Sequence, residues 1–152
     1  PVIATTTLGF GVLLGIADRR ATTAVHGRIL GLTMAIFIGF AQMLALVPGV
    51  SRSGVTMTAA LFLGMDRQAS ARFSFLLSIP IIASAGVLKV WELVAGDATV
   101  DWLFLGLGAL VSGLAAYLCI ATFLRLLDKV GFMPFVYYRV VLAAVLYLMW
   151  LV

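Results

Sequence analysis

The chain has 152 residues, 64% of them hydrophobic and 11% charged, with mean hydropathy +1.20. Soluble domains run at roughly 45–50% apolar and about 25% charged, so this composition excludes an ordinary water-soluble domain, a disordered tail and a disulfide scaffold. The net charge of +4 and the pI near 9.7 come from only ten basic residues, spread between apolar runs, which reads as topology signals and headgroup anchors rather than a nucleic-acid surface.

At about 25–30 residues per span with its connection, the length allows about five membrane segments in one helical bundle. The first covers residues 2–17 and ends at Asp18-Arg19-Arg20. It is already apolar at Pro1 and has no basic residue before it, so it lacks a signal peptide's charged front and suggests a fragment or a processed chain. The second runs over 29–47 and stops at Pro48-Gly49. A short third, 54–65, stops at Asp66-Arg67. The fourth covers 73–91 and contains Pro80, and the polar loop 92–101 follows. The fifth covers 102–124 and is closed by Arg125 to Lys129. The sixth covers 132–152 and contains Arg139.

Length separates two kinds of segment. Those at 29–47, 73–91, 102–124 and 132–152 are long enough for the roughly 30 Å hydrocarbon core. The 54–65 segment reaches only about 18 Å. The break before it holds Pro48, Gly49, Ser51, Arg52, Ser53 and Gly54, and irregular backbone at membrane depth is tolerated only inside protein or along a watery cavity. Residues 29–65 therefore read as a re-entrant hairpin, favoured by length over two full spans. The groups 18–28, 66–72 and 125–129 sum to +2, +1 and +1, and 92–101 sums to −3. Basic residues mark the cytoplasmic side, which places the acidic loop and the C-terminus outside. Lys89 is the exception and is expected to snorkel outward beside Trp91.

Gly11 and Gly15, Gly27 and Gly31, and Ala109 and Gly113 lie four apart, a spacing that lets helices approach closely. Ser70, Ser74 and Ser78 form a one-faced stripe, read as tight packing or as a polar path. Cys119, inside an apolar run, reads as a packing residue. His26 reads as a headgroup-level loop residue, and Asp18, Asp66 and Asp128 as local charge partners at segment ends. No metal-ligand cluster is apparent.

The stretch that carries chemistry is Gln42-Met-Leu-Ala-Leu-Val-Pro-Gly-Val-Ser-Arg-Ser-Gly-Val-Thr56. Pro48 and Gly49 end one helix, and Ser51 to Gly54 start the next. A helix N-terminus offers unpaired N–H groups and a positive dipole end. Ser51 and Ser53 add hydroxyls, either of which can cap the helix. Arg52 adds a permanent charge and a donor fork suited to phosphate oxygens, and Thr56 lies four residues on, on the same face. An arginine at membrane depth is unfavourable by roughly 2.5–3.5 kcal/mol on insertion scales, which argues for an oxyanion clamp over a mere interfacial anchor. Arg139 lies about 15 Å into its helix. It reads either as a second anion contact or hairpin anchor, or as an arginine snorkelling among aromatics.

Leu46-Val-Pro-Gly-Val-Ser-Arg-Ser-Gly54, Phe73-Ser-Phe-Leu-Leu-Ser-Ile-Pro80 and Phe132-Met-Pro-Phe-Val-Tyr-Tyr-Arg139 together resemble the C-terminal half of the bacterial undecaprenyl-diphosphate phosphatase family, also known for bacitracin resistance. The resemblance implies an all-α polytopic membrane protein built from two inverted repeats, each with a re-entrant hairpin. The hairpin tips meet in a cavity open to the extracytoplasmic side of the bacterial inner membrane. It implies hydrolysis of undecaprenyl diphosphate to the monophosphate carrier and phosphate, in support of cell-wall synthesis. By position, Arg52 would bind the diphosphate, Ser51 and Thr56 would line the site, and Ser53, Gly49, Gly54, Gln42 and Arg139 would shape or contact it. The family's first signature, with its paired glutamates, serine pair and histidine, does not occur in these residues. The divalent cation (Mg or Ca) that the family uses would find its ligands there, outside this chain. The implied partners are the lipid substrate, membrane lipids, the missing N-terminal repeat and a second copy in a homodimer. The competing functions are a transporter or flippase half that binds an anionic lipid phosphate without breaking it, and a non-catalytic membrane assembly subunit.

Overall fold

The computed structural model describes residues 2–21, 31–96 and 101–151. His26, Gly27, Arg28 and the centre of the acidic loop lie outside the described residues. All regular structure among them is helical: α1 (Val2–Ala21), α2 (Leu32–Gln42), a 3-10 turn (Met43–Leu46), α3 (Arg52–Phe62), α4 (Arg67–Ala95), α5 (Trp102–Val130) and α6 (Met133–Leu151). Among the described residues, four helices, α1, α4, α5 and α6, are long and apolar enough to cross a membrane. The chain is a polytopic helical membrane protein.

Helix ends follow local chemistry and shift several expected boundaries. The Asp66 carboxylate accepts the Ala69 N–H at 2.6 Å and starts α4 at Arg67, six residues before the apolar run, because the cap outweighs the charge of Arg67. Asp101 caps α5 in the same way through the Phe104 N–H at 3.1 Å. Arg125 to Lys129 do not close α5; they form its last turns, and Gly131 ends it at φ +66. The expected long second segment is also corrected. Its α-helical part has 11 residues and tightens into the 3-10 turn before Pro48. α3 likewise has 11 residues, about 16 Å.

The core lies where α1, α3 and the α5–α6 turn meet. Leu14 and Ala17 pack there with Met57, Leu61, Ala71, Leu127 and Phe132. Ile38, Ala60 and Met65 form a smaller cluster that joins α2 to α3. α6 lies close against α1 because a Cβ on Gly11 would meet the Arg139 Cβ at 3.1 Å, and one on Gly15 the Val136 Cγ1 at 3.3 Å. By contrast, a Cβ on Gly31 or Gly113 would have nothing within 4 Å, so among the described residues it is in α1 that the four-residue glycine spacing marks an intrachain contact. Cys119 is exposed and not a buried packing residue, because α5 presents that whole turn outward.

Asp18, beside Arg19 and Arg20 in sequence, has a partner far along the chain. It is 1% exposed and accepts from Arg67 Nε at 2.5 Å across 49 residues. The Arg67 guanidinium also lies against Gly131, where a Cβ would meet its Cζ at 3.0 Å. One ion pair, buried at its carboxylate and one-third exposed at its guanidinium, thus ties the end of α1, the start of α4 and the α5–α6 turn. Lys89, highly exposed, pairs with Glu92 at 2.7 Å on its own helix.

Candidate functional site

The site is the connection between the two short helices, residues 47–51, together with the first turn of α3. The Val50 N–H bonds the Val47 carbonyl at 3.2 Å, and Gly49 takes φ +91. α1 holds this turn. Thr6 Oγ1 reaches the Pro48 carbonyl at 2.7 Å, and Thr7 Oγ1 reaches that of Gly49 at 3.3 Å. A side chain on Gly49 would collide with Thr6 Oγ1 and the Ile3 carbonyl, so glycine is required both for the turn and for its approach to α1.

Ser51 is the N-cap of α3. Its Oγ accepts the Gly54 N–H at 3.2 Å and lies 3.3 Å from Ser53 Oγ. The first N–H groups of a helix have no acceptor within it, so the tip presents N–H groups, two hydroxyls and the Arg52 side chain in one place. Arg52 is half-buried. It lines a cavity of about 360 Å³ with Gln42, Ser53, Thr56, Ser74 and Ser78, so Gln42, Arg52 and Thr56 converge as the sequence suggests.

Thr56 is only 1% exposed, and its hydroxyl is already engaged. It lies 2.6 Å from Ser74 Oγ and 3.1 Å from the Arg52 and Ser53 carbonyls. It fastens α3 to α4 beneath the tip. The serine stripe thus divides: Ser74 serves this fastening, Ser78 faces the cavity and returns a bond to the Phe75 carbonyl at 2.6 Å, and Ser70 bonds the Asp66 carbonyl at 2.7 Å.

Arg139 stands on the other side of α3. It turns inward onto Gly54, where a Cβ would sit 2.6 Å from its Nη2, instead of reaching out among the interfacial aromatics. Its Nη1 is buried with no hydrogen-bond partner. An unmet buried donor costs about 1–3 kcal/mol, and more when charged, so this nitrogen calls for an acceptor. With Ser51, Ser53 and Gly54 it lines a second cavity of about 340 Å³. Ser53 borders both cavities, and the predicted residues surround the first turn of α3 instead of filling one pocket.

Thr6 and Thr7 were not singled out by the sequence. Their signal is the run Thr5-Thr6-Thr7 inside an apolar segment, three hydroxyls that need acceptors. Among the described residues, no group of three or more His, Cys, Asp or Glu could hold a metal ion. Among the described residues, no carboxylate lines these cavities around the tip. Guanidinium groups and neutral hydroxyls do not suit a divalent cation, which prefers carboxylate oxygens.

Residues 1–145 match the family described as Bacitracin resistance protein BacA. Among curated relatives, the undecaprenyl-diphosphatase of Teredinibacter turnerae is 52% identical over 147 residues, 97% of this chain and 56% of that protein. The undecaprenyl-diphosphatase of Hahella chejuensis is 54% identical over 150 residues, 99% of this chain and 56% of its own length. Undecaprenyl-diphosphatase 2 of Stutzerimonas stutzeri is 53% identical over 148 residues, 95% and 55% of the two chains. The chain spans about 56% of the length of these relatives.

Proposed function

The chain belongs to the bacitracin resistance protein BacA family, and from that premise we propose that it supplies the diphosphate clamp for hydrolysis of undecaprenyl diphosphate to undecaprenyl phosphate and phosphate. The observation that carries the reading is the capped N-terminus of α3, where Arg52, Ser53 and the first helical N–H groups share one edge of a cavity. Phosphoryl transfer needs charge stabilisation on the non-bridging oxygens more than covalent chemistry. Arg52 takes those oxygens through its donor fork, Ser53 donates from the next position, and Arg139 offers its unpartnered Nη1 from the far side of Gly54. Ser51 acts as cap and not as nucleophile, since its oxygen already accepts the Gly54 N–H and no His, Asp or Glu lines the cavities beside it among the described residues.

In this reading α2 and α3 form a re-entrant hairpin, one of two inverted repeats, and the other repeat brings the base that activates water. The positive charge near the α1 and α5 ends lies on the cytoplasmic side and the tip opens outward. The full-length protein is expected to release phosphate from undecaprenyl diphosphate, and Arg52→Ala to lower kcat about 10²–10³-fold, the usual loss for one transition-state donor. A well-folded full-length protein that binds the lipid diphosphate and releases no phosphate would replace this reading with that of a lipid transporter.

A further inference from the structure

The second cavity has two chemically different ends. At one end are Ser51, Ser53 and the buried, unpartnered Arg139 Nη1. The other end is walled by Met57, Phe75, Phe123, Phe132 and Phe135. Three ring contacts hold that wall together: Phe123 meets Phe75 edge-on at 5.6 Å, Phe135 at 5.0 Å and Phe132 at 6.4 Å. Helix direction orders the two ends. Phe132, just before α6, and Phe135 and Arg139 within it follow about one turn apart, and α3 runs the opposite way, since Gly54 lies against Arg139 and Met57 packs with Phe132. The polar groups therefore share one level and the rings the next two turns. Cys119 and Ile120 of α5, both exposed, also line the cavity, so within this chain it opens on the outer side of α5.

We propose that this cavity is the subsite for the hydrocarbon of the substrate: a prenyl diphosphate sits with its phosphates over the tip, at Arg52, Ser53 and Arg139, and its first isoprene units along the Phe75–Phe123–Phe135 wall. The proposal rests on the diphosphate reading of the tip and adds the path of the tail. At about 340 Å³ the cavity lies at the low end of the roughly 300–1,000 Å³ of small-molecule sites, so it holds the start of a long chain and leaves the rest in lipid. A tail alone gains little by leaving lipid for an equally apolar cavity. A tail tethered to a clamped diphosphate is present at high effective concentration. The subsite therefore recognises head and tail only when one molecule carries both.

Cys119, at the rim, reports on occupancy. The full-length protein in detergent is labelled with N-ethylmaleimide, with Cys119→Ser as the blank for any other thiol. A non-hydrolysable methylenediphosphonate analogue of undecaprenyl diphosphate is expected to slow Cys119 labelling at least tenfold. Methylenediphosphonate alone and undecaprenol alone are each expected to change it less than twofold. Unchanged labelling under an analogue that still inhibits phosphate release would overturn the subsite and leave the phosphatase reading standing. Equal protection by methylenediphosphonate alone would also overturn it, since closure of the tip would then explain the effect. Protection by the analogue in a protein that releases no phosphate would keep the subsite and remove the phosphatase reading. As a second check, Phe123→Trp is expected to raise KM about tenfold with kcat within twofold; an unchanged KM would count against the wall.

Discussion

α1 and α5 are both apolar enough to cross a membrane, yet 39% of the membrane-length stretch of α1 is buried within the chain and none of that of α5. Both carry small residues. A Cβ on Gly11 or Gly15 of α1 would touch α6, whereas Gly106, Gly108 and Gly113 of α5 face open space. The difference lies in specific partners. α1 brings Thr6 and Thr7 to the carbonyls of the tip and Asp18 to Arg67, while the membrane-length stretch of α5 buries nothing against the rest of this chain. Apolar composition selects the solvent; hydroxyls, carboxylates and close-approach glycines select the neighbour.

The largest effect that distinguishes the two regions is expected at Arg67. Removing it leaves Asp18, 1% exposed, as a buried carboxylate without its partner. Breaking a buried pair in this way costs about 3–5 kcal/mol. Arg67→Ala in the full-length protein is expected to lower the unfolding midpoint in detergent accordingly. A loss below about 1 kcal/mol, the range of exposed pairs, would show that water reaches Asp18 and that this end of the bundle is no more closed than α5.

A smaller effect, on activity instead of stability, is expected at Gly54. Its missing side chain leaves room for the Arg139 guanidinium, since a Cβ would lie 2.6 Å from Nη2. The end of a flexible side chain can move aside, so Gly54→Ala is expected to fold. It would displace Arg139 from the tip by about an ångström, a misplacement that can cost roughly 10²-fold in rate. The same change at Gly113, with nothing within 4 Å, is expected to leave phosphate release within twofold and to favour the helix by about 0.5–1 kcal/mol. Equal losses at both glycines would mean that a surface absent from this chain's own contacts covers α5.

These contrasts show what the sequence makes legible. The helical class, the long spans over 73–91, 102–124 and 132–152 and the break at Pro48-Gly49 follow from hydrophobic run length and breaker residues, and the structure has them; the span expected over 29–47 is not among its long helices, and α1 is the fourth. The convergence of Arg52, Ser53 and Thr56 follows from short-range spacing around one helix start, whereas Gln42 reaches the same cavity from the end of α2. Long-range partners do not follow. Asp18 beside Arg19 and Arg20 looks locally neutralised, yet its partner is 49 residues away. Thr56 looks like a ligand contact, yet its hydroxyl is 2.6 Å from Ser74 of another helix. Periodicity carries no record of which helix faces which. Only an unmet need, such as three threonine hydroxyls in an apolar run, hints that a partner exists.

The smallest effect is expected at the other ion pair. Lys89 and Glu92 lie 2.7 Å apart, three residues apart on one helix, with their side chains 76% and 63% exposed. Attraction in a well-solvated setting is offset by the side-chain entropy lost in holding the geometry, so exposed pairs contribute about 0–1 kcal/mol. Lys89→Ala is expected to shift the unfolding midpoint of the full-length protein by less than that range, and the shift should vanish at high salt. Placed beside Arg67→Ala, the variant contrasts a solvated pair within one helix with a pair between helices whose carboxylate is buried. A loss near 3 kcal/mol that persists in salt, the signature of a desolvated pair, would mean that the outer end of α4 is covered in the full-length protein, and the contrast between the two regions would belong to this chain alone.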